Sequence, residues 1–326
     1  MPDSSSAEAT EGDFEVSPEL HADLGESLRR ALRRPQPSIP PRFLYDELGS
    51  RLFEVITAIP EYYPTRTEAA LLTERIDAIL ACRPVEGCTL IDVGAGNCEK
   101  SARLFDAIRP SHYVPVDVSA DFLESALSLL RLRYPTIQMT GVGADFAAGL
   151  VLPASIPASR RLFFYPGSSI GNFSRDEAVV FLRSIRAGMG PDGTLWITVD
   201  LDKDRAVLER AYDDELGVTA AFNKNVLSHV NRLAGTDFAL RDWRHLARYD
   251  AAAMRIELYL EAMRDLTVTW PGGSRRFRAG DRIHTENSHK FTTELFGELL
   301  TRAGLRTVQV FHDARRWLAF FVAAPV

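Results

Sequence analysis

A glycine-rich turn between an apolar segment and a helical pattern is the first place where this sequence could do chemistry. Residues 90–100 read Leu-Ile-Asp-Val-Gly-Ala-Gly-Asn-Cys-Glu-Lys. The turn holds Gly94, Ala95 and Gly96, and the following helical pattern contains Lys100. Glycines in such a turn let the backbone approach a ligand closely. A dinucleotide fingerprint would need a third glycine where this chain has glutamate, so a dehydrogenase is disfavoured. A plain tight turn remains an alternative.

Two acids follow the next two predicted strands. Asp117 ends one strand 21 residues after Gly96, and Asp145 follows the other. A carboxylate at the first position can accept hydrogen bonds from both ribose hydroxyls of an adenosine. Asp145 could accept from the adenine amino group, with Phe146 packed on the ring face. Each acid alone is more often a surface residue. Together, at the carboxyl ends of parallel strands, they predict a site for an adenosyl cofactor.

Strand and helix patterns alternate between residues 89 and 200, which is typical of a parallel sheet. The predicted strands are Thr89–Val93, His112–Asp117, Thr136–Val142, Arg161–Tyr165 and Thr194–Asp200. The predicted helices between them are Glu99–Ile108, Ser119–Arg133 and one that begins after the N-cap Ser174. An earlier helix is predicted over Ser17–Arg34.

The pattern changes beyond Lys203 and returns to helix, strand, strand at the end of the chain. The middle segment predicts helices Arg205–Tyr212 and Val218–Leu233 and strands Arg255–Met263, Leu266–Trp270 and Asp281–Ser288. The last segment predicts helix Thr293–Ala303 and strands Thr307–His312 and Trp317–Ala323. Five parallel strands closed by a hairpin resemble the α/β, Rossmann-like sheet of class I S-adenosylmethionine-dependent methyltransferases, in which one terminal strand is antiparallel.

This layout predicts two units. A methyltransferase domain that binds S-adenosylmethionine is expected over residues 65–203 and 288–326. A discontinuous α+β lobe that binds substrate is expected over residues 17–64 and 204–287. Residues 1–16 carry little apolar surface, and we expect them to be a disordered tail.

Composition restricts the class of protein. The chain has 326 residues, 46% apolar and 25% charged, which is ordinary for a globular protein. Its net charge of −6 disfavours a nucleic-acid-binding surface. Three cysteines without CxxC spacing argue against a zinc site and fit a reducing cytoplasm. The acidic first sixteen residues lack a basic signal region, and the longest apolar run, 317–326, is half the length of a membrane span. We expect a cytoplasmic monomer with no membrane or nucleic-acid partner.

Six further segments carry a more specific resemblance. They are Phe-Leu-Tyr-Asp-Glu at 43–47, Glu-Tyr-Tyr-Pro-Thr-Arg-Thr-Glu at 61–68, Gly-Ser-Ser-Ile-Gly-Asn-Phe at 167–173, Ala-Tyr-Asp-Asp at 211–214, Thr-Ala-Ala-Phe-Asn at 219–223 and Ile-His-Thr-Glu-Asn-Ser-His-Lys-Phe at 283–291. In this order they resemble the histidine Nα-methyltransferases of ergothioneine biosynthesis. The resemblance extends from about residue 18 to the end of the chain.

The resemblance implies a reaction and a set of site residues. The α-amine of L-histidine, and of its mono- and dimethylated forms, would be methylated to the betaine hercynine by three S-adenosylmethionines without a metal. Gly167, Asn172 and Tyr212 would hold the amino and carboxylate groups. Tyr62, Glu286 and Ser288 would hold the imidazole. Tyr45 would lie at the cofactor–substrate junction and, with Asn172, serve catalysis.

One position departs from the family pattern. Members often carry methionine in an insertion strand beside the ring pocket, where the best match here is Leu258. Because this change affects pocket width, methylation of another aromatic amino acid, such as a tryptophan derivative, is the alternative function. A nucleic-acid methyltransferase and an inactive adenosyl-binding protein are further alternatives, and both are disfavoured by the acidic charge and the intact motifs.

The residue types suit this chemistry. Methyl transfer needs a neutral amine held in line with the methyl group and no strong base. The Asn172 amide can accept from the amine and donate to the carboxylate. On an extended strand 281–288, His284, Glu286 and Ser288 would share one face, where Glu286 accepts from a ring N–H and the serine hydroxyl either donates or accepts.

Two alternatives at these positions stay open. A solvated strand face is the simplest one. A metal site formed by His284, Glu286 and His289 is another, although His289 is expected on the other face and no third ligand is evident. If Tyr62 and Tyr63 are extended, they face opposite ways, so that one reaches a ligand while the other packs.

Overall fold

The computed structural model describes residues 18–118, 120–144 and 149–326. In chain order the strands are β1 (Thr89–Val93), β2 (His112–Asp117), β3 (Gln138–Met139), β4 (Val142–Gly143), β5 (Arg161–Tyr165), β6 (Thr194–Asp200), β7 (Trp243–Asp250), β8 (Arg255–Ala262), β9 (Leu266–Trp270), β10 (Gly273–Phe277), β11 (Arg282–His289), β12 (Leu305–His312) and β13 (Leu318–Pro325). The helices are α1 (Pro18–Leu32), α2 (Glu47–Ala58), α3 (Tyr63–Leu80), α4 (Glu99–Ala102), α5 (Phe105–Ile108), α6 (Ala120–Arg133), α7 (Arg175–Met189), α8 (Arg205–Tyr212), α9 (Val218–Ala234) and α10 (Thr293–Arg302).

The large sheet of the described residues has the order β12-β13-β6-β5-β1-β2-β3, with β4 also paired to β2. Strands β1, β2, β5 and β6 are parallel, whereas β13 runs antiparallel to both β6 and β12. Every residue of β1 and β6 is buried, because helices cover both faces of a parallel sheet. The predicted α/β fold with a terminal antiparallel hairpin is confirmed.

Strands β1, β2, β5 and β6 begin and end where the sequence predicts, β12 and β13 differ by one or two residues at their ends, and two predicted elements are broken. The predicted helix 99–108 is divided into α4 and α5. The predicted strand 136–142 is reduced to the two-residue strands β3 and β4, separated at Gly141. A Cβ at Gly141 would lie 2.9 Å from a methyl carbon of Leu127, so the chain passes close to α6 at this break.

The remaining elements form a second group. Strands β11, β8 and β7 make an antiparallel sheet, and β9 pairs with β10. Helix α7 begins at a capping box in which Ser174 and Glu177 bond reciprocally, as its predicted start requires. One hydrophobic core joins α1, α2 and α9 to the small sheet through residues from 28–63 and 208–283, together with Leu318. The division into two units stays a prediction, and the proposed tail 1–16 lies outside the described residues.

Strands β7 and β10 and helices α2 and α3 are absent from the predictions. In β7 only Trp243 and Tyr249 are buried, so the strand gives little apolar signal. No helix in the described parts of the chain has the length and apolar character needed to cross a lipid bilayer.

Candidate active site

The glycine turn after β1 and the acid at the end of β2 are in direct contact. The Gly96 amide donates to the Asp117 carboxylate at 2.9 Å, and the amides of Gly94 and Ala95 donate to the Val116 carbonyl at 2.8 and 3.2 Å. Gly96 has a φ of 54°, and a Cβ there would meet no atom within 4 Å. An open cradle beside an accessible carboxylate fits the ribose of an adenosyl group.

Asp145 and Phe146, predicted to hold the adenine, lie outside the described residues. The remaining predicted cofactor residue, Lys100, forms an ion pair at 2.9 Å with Glu68 of α3. Glu68 is only 3% exposed, and its other oxygen accepts from the Gly167 amide at 2.8 Å. One buried carboxylate therefore links the predicted cofactor helix to the predicted substrate loop. Glu68 is the last residue of the segment 61–68, but the sequence did not predict its role in this contact.

A single cavity beside this loop collects the residues predicted for substrate binding and catalysis. The predicted residues that line it are Tyr45, Tyr62, Gly167, Asn172, Tyr212, Leu258, Glu286 and Ser288. Its other lining residues include Phe53, Ser168, Ser169, Thr219 and Phe222. These side chains come from segments far apart in the chain, and the fold brings them together.

Aromatic rings form one wall of the cavity. Tyr45 meets Phe53 and Phe222 edge to face, with ring centres 5.5 Å apart in each case. Tyr62 and Tyr212 meet with ring centres 6.1 Å apart. Burial raises the pKa of all three tyrosines well above the usual value, so their hydroxyls stay neutral at physiological pH. This wall suits a flat ring, and none of the three tyrosines can serve as a phenolate base.

Tyr62 and Tyr63 do not lie on an extended segment, so the condition for their facing opposite ways along a strand is not met. Helix α3 begins at Tyr63, and Pro64 occupies its first turn, where a fixed φ favours a helix start. The two side chains nevertheless diverge. Tyr62 lines the cavity, whereas the Tyr63 hydroxyl donates to the buried Asp200 carboxylate at 2.7 to 2.8 Å.

Strand β11 contains a bulge that changes the predicted alternation. His284 pairs with Tyr259 and Glu286 with Leu258, so Thr285 is an extra residue. As a result, Glu286 and Ser288 face the cavity, whereas His284 bonds to Asn287 at 2.9 Å. The prediction that His284 shares their face is wrong. Among the described residues no cluster of His, Cys, Asp and Glu has the arrangement of a metal site.

Gly171 allows the loop that carries Asn172 to approach β11. A Cβ at Gly171 would lie 2.8 Å from the His289 carbonyl oxygen and 3.6 Å from the Ser288 hydroxyl, so only glycine fits without displacing the strand. The close contact places the Asn172 side chain beside Glu286, where its amide lowers the pKa of that carboxyl. An amide that donates its NH₂ group to a carboxylate keeps its oxygen for another donor.

Glu286 is a buried acid in a largely apolar wall. It is 7% exposed, and burial raises its pKa from 4.5 to about 7, although the Lys290 charge and the Asn172 hydrogen bond oppose this rise. Near neutral pH the side chain is therefore close to half ionised, and it can accept a hydrogen bond from a ligand N–H when ionised.

This raised pKa predicts a pH-dependent effect of Glu286→Gln on stability. The unfolded carboxyl titrates near 4.5, so its contribution to folding is fully present below that pH and is lost as pH rises through about 7. The neutral glutamine avoids that loss. From pH 5 to pH 8 the stability of the variant relative to the parent should increase by up to about 3 kcal/mol in urea unfolding. Asp92, whose pKa is also raised, is common to both proteins and cancels. A pH-independent difference would contradict the assignment.

Behind the cavity lies a buried ionic cluster that was not predicted. Lys290 is 0% exposed and pairs at 2.8 Å with Asp200, which also pairs with Lys203 and is 1% exposed. Burial alone would raise the pKa of Asp200, but the charges of Lys290 and Lys203 outweigh it and hold that pKa below its usual value. Lys290 lies just beyond a predicted strand, and the sequence gives no sign that it is buried. Its partner Asp200 lies 90 residues earlier in the chain.

The strand order, the glycine turn and the adjoining cavity together define a class I S-adenosylmethionine-dependent methyltransferase. The family model described as "Histidine-specific methyltransferase, SAM-dependent" matches residues 24–325. The chain belongs to this family. The predicted family, enzyme class and cofactor are therefore confirmed.

Named relatives agree with this membership. The chain is 38% identical to a histidine N-alpha-methyltransferase of Mycobacterium tuberculosis, over 90% of this chain and 92% of that protein. It is 39% identical to a histidine N-alpha-methyltransferase of Mycolicibacterium smegmatis, over 89% of this chain and 91% of that protein. It is 32% identical to ergothioneine biosynthesis protein 1 of Neurospora crassa, over 83% of this chain but only 31% of that longer protein.

Proposed function

We propose that this protein methylates the α-amino group of L-histidine three times, with S-adenosylmethionine as donor, to form hercynine for ergothioneine biosynthesis. The observation that carries the proposal is the meeting of Glu286, Asn172 and Ser288 in one aromatic-walled cavity. An acceptor and a hydroxyl beside flat rings suit an imidazole with two ring nitrogens. Membership of a histidine-specific family supports the same substrate.

On the cofactor side, the carboxyl edge of the large sheet would hold the adenosyl group. Asp117 would accept from the ribose hydroxyls, while Gly94, Ala95 and Gly96 let the backbone approach the ligand. Lys100, which pairs with Glu68, would contact the cofactor on the side of the Gly167 loop. We also assign Asp145 and Phe146 to the adenine. When bound, S-adenosylmethionine supplies an electrophilic methyl group on a cationic sulfonium.

On the substrate side, the cavity would fix both ends of histidine. Glu286 and Ser288 would bind the imidazole, with Tyr62 against the ring and Leu258 closing the wall. Tyr212 would donate to the carboxylate near Gly167. Asn172 would accept from the amine through its amide oxygen, with its NH₂ group directed to Glu286. The amine would lose its proton to water before it reacts, because desolvation favours its neutral form. Tyr45 would close the junction between amine and cofactor.

The alternative substrate is another aromatic amino acid such as a tryptophan derivative. Leu258 is the observation that favours it, since leucine in place of a flexible thioether changes the cavity wall. Glu286 opposes it, because a buried acid against an apolar ring is costly unless it meets the indole N–H.

The deciding experiment incubates the protein with S-adenosylmethionine and each of the twenty amino acids, followed by mass spectrometry. We expect a mass gain of three methyl groups on histidine and much slower reaction elsewhere. A preference for another amino acid would refute the histidine assignment, and product that stops at one methyl group would refute trimethylation.

A separate prediction concerns Asp117→Ala. The variant should bind S-adenosylmethionine more weakly by roughly 1.5 to 3 kcal/mol, the usual range for hydrogen bonds to a charged group. Isothermal titration calorimetry measures this loss. Asp117→Asn is the matched control, since its amide oxygen can still accept from Gly96 and preserve the turn. If Ala leaves cofactor affinity unchanged, the adenosyl site is misplaced.

Three broader features complete the proposal. The protein would act in the cytoplasm, as the odd cysteine number suggests. It would act as a monomer, which size-exclusion chromatography with light scattering can test. The segments 17–64 and 204–287 would form the substrate lobe, and residues 65–203 and 288–326 the cofactor domain.

A further inference from the structure

The Lys290 ammonium group has three hydrogen-bond acceptors around it. It lies 2.8 Å from an Asp200 oxygen, 2.8 Å from the Ser288 hydroxyl and 3.1 Å from the Tyr212 hydroxyl. An ammonium has three N–H donors and no acceptor, so these three contacts use its whole capacity. Ser288 and Tyr212 also line the cavity, which places Lys290 directly behind two predicted substrate contacts.

The hydrogen bonds of this group determine what the two hydroxyls can offer a ligand. The Tyr212 and Ser288 oxygens lie 2.7 Å apart, so one hydroxyl hydrogen lies between them. Each oxygen also accepts from Lys290. Of the two hydroxyl hydrogens, one is therefore used within the pair and the other is free for the cavity. The two contacts from Lys290 and the bond within the pair fill three of the four acceptor positions, and the remaining hydroxyl hydrogen lets the pair face a ligand as a donor.

We propose that Lys290 is a positioning residue that makes the Tyr212–Ser288 pair a hydrogen-bond donor toward the amino acid, with the Ser288 hydroxyl donating to Tyr212 and the Tyr212 hydroxyl donating to the carboxylate. Asp200 anchors the lysine, and it is in turn held by Lys203 and the Tyr63 hydroxyl. The inference rests on the proposed methylation of an amino acid in this cavity. It adds a preference for ligands that present an anionic carboxylate to the Tyr212 hydroxyl.

The charge of Lys290 also favours hydrogen-bond donation by the hydroxyl pair toward a ligand. A buried cation behind two hydroxyls polarises their O–H bonds toward an acceptor, and this effect is stronger in a site shielded from water. The same charge also opposes the rise in the pKa of Glu286. The titratable groups around Lys290 are Asp200, Lys203, Tyr212, Tyr249, Glu286 and His289, and the lysine stands between the buried Asp200 carboxylate and the ligand cavity.

The test compares Lys290→Met with the parent, using histidine and histidinamide, in which a neutral amide replaces the carboxylate. We expect Lys290→Met to raise KM for histidine roughly 10- to 100-fold, to change kcat less, and to reduce the preference for histidine over histidinamide by a similar factor. Asp200 keeps Lys203 and Tyr63 as partners in this variant. Calorimetric binding of S-adenosylmethionine within about twofold of the parent shows that the fold is intact.

A double-mutant cycle separates positioning from a general structural role. In the Tyr212→Phe/Ser288→Ala background the hydroxyls are absent, so Lys290→Met should change KM less than about threefold. An equal effect in both backgrounds, or an unchanged preference for histidine over histidinamide, would overturn the proposal. If Lys290→Met does not fold, Lys290→Arg provides the test, since it keeps the charge with a different donor geometry and should alter the same preference. Absence of histidine methylation by the parent would instead refute the proposed function.

Discussion

Replacement of Glu286 by alanine should reduce the preference for histidine over tryptophan, measured as the ratio of their kcat/KM values, by up to about 10⁴-fold. A site built around buried polar groups rejects a ligand that leaves them unpaired, and this penalty disappears with the carboxylate. Glu286 is the acid that lines the cavity beside Ser288, and it bonds to Asn172. Histidine should also react more slowly, since alanine gives up the ring N–H acceptor. Tryptophan should react faster or unchanged.

The measurement needs kcat/KM for histidine, tryptophan and phenylalanine with parent and variant. Glu257→Ala is the matched control, because it removes an equally buried acid from the same small sheet. Glu257 precedes Leu258 on β8 and points to the opposite face, where it pairs with Arg248 and Arg255. Its loss should lower stability and leave the preference intact. A parent that favours tryptophan, or an alanine variant that keeps full histidine preference, would show that Glu286 does not bind the imidazole.

The large sheet could be predicted from the sequence because its central strands are buried on both faces. Such strands are short apolar runs bounded by turns, and β1, β2, β5 and β6 begin and end at the predicted residues. Strand β7 lacks this pattern, since most of its side chains are only partly buried. The breaks at α4/α5 and β3/β4 depend on packing against neighbouring elements, which periodicity does not report.

The residues of the site could be predicted in part, and this prediction depended on family resemblance and not on apolar patterns. Family resemblance identified residues whose convergence no local pattern implies, such as Tyr62 and Leu258, which lie nearly 200 residues apart. It could not reveal the bulge at Thr285, which turns His284 away from the cavity. Nor could it indicate the Lys290–Asp200 pair, because the sequence alone does not show that either charge is buried. Polar groups behind a cavity become visible only when tertiary contacts are known.

Replacement of Asn172 by alanine should lower kcat/KM for histidine by about 10² to 10³-fold and leave S-adenosylmethionine affinity within about twofold of the parent. The side chain lies in the substrate cavity beside Glu286, where an NH₂ group directed to the carboxylate would leave the amide oxygen to accept from the amine. Alanine removes this acceptor and also the bond that lowers the pKa of Glu286. Because the nucleophile is then poorly positioned, the loss should fall on methyl transfer more than on cofactor binding.

Single-turnover methyl transfer and calorimetric cofactor binding distinguish these two effects. Asn287→Ala is the matched control, since Asn287 lies next to Glu286 on β11 but bonds to His284 away from the cavity. This control should react at a rate near that of the parent. Equal losses of cofactor affinity and methyl transfer in Asn172→Ala would mean that the asparagine supports the adenosyl site. In that case the substrate amine must be held by another group, and the hydroxyls of Tyr45 and Ser169 become the candidates, because both residues line the same cavity as Asn172.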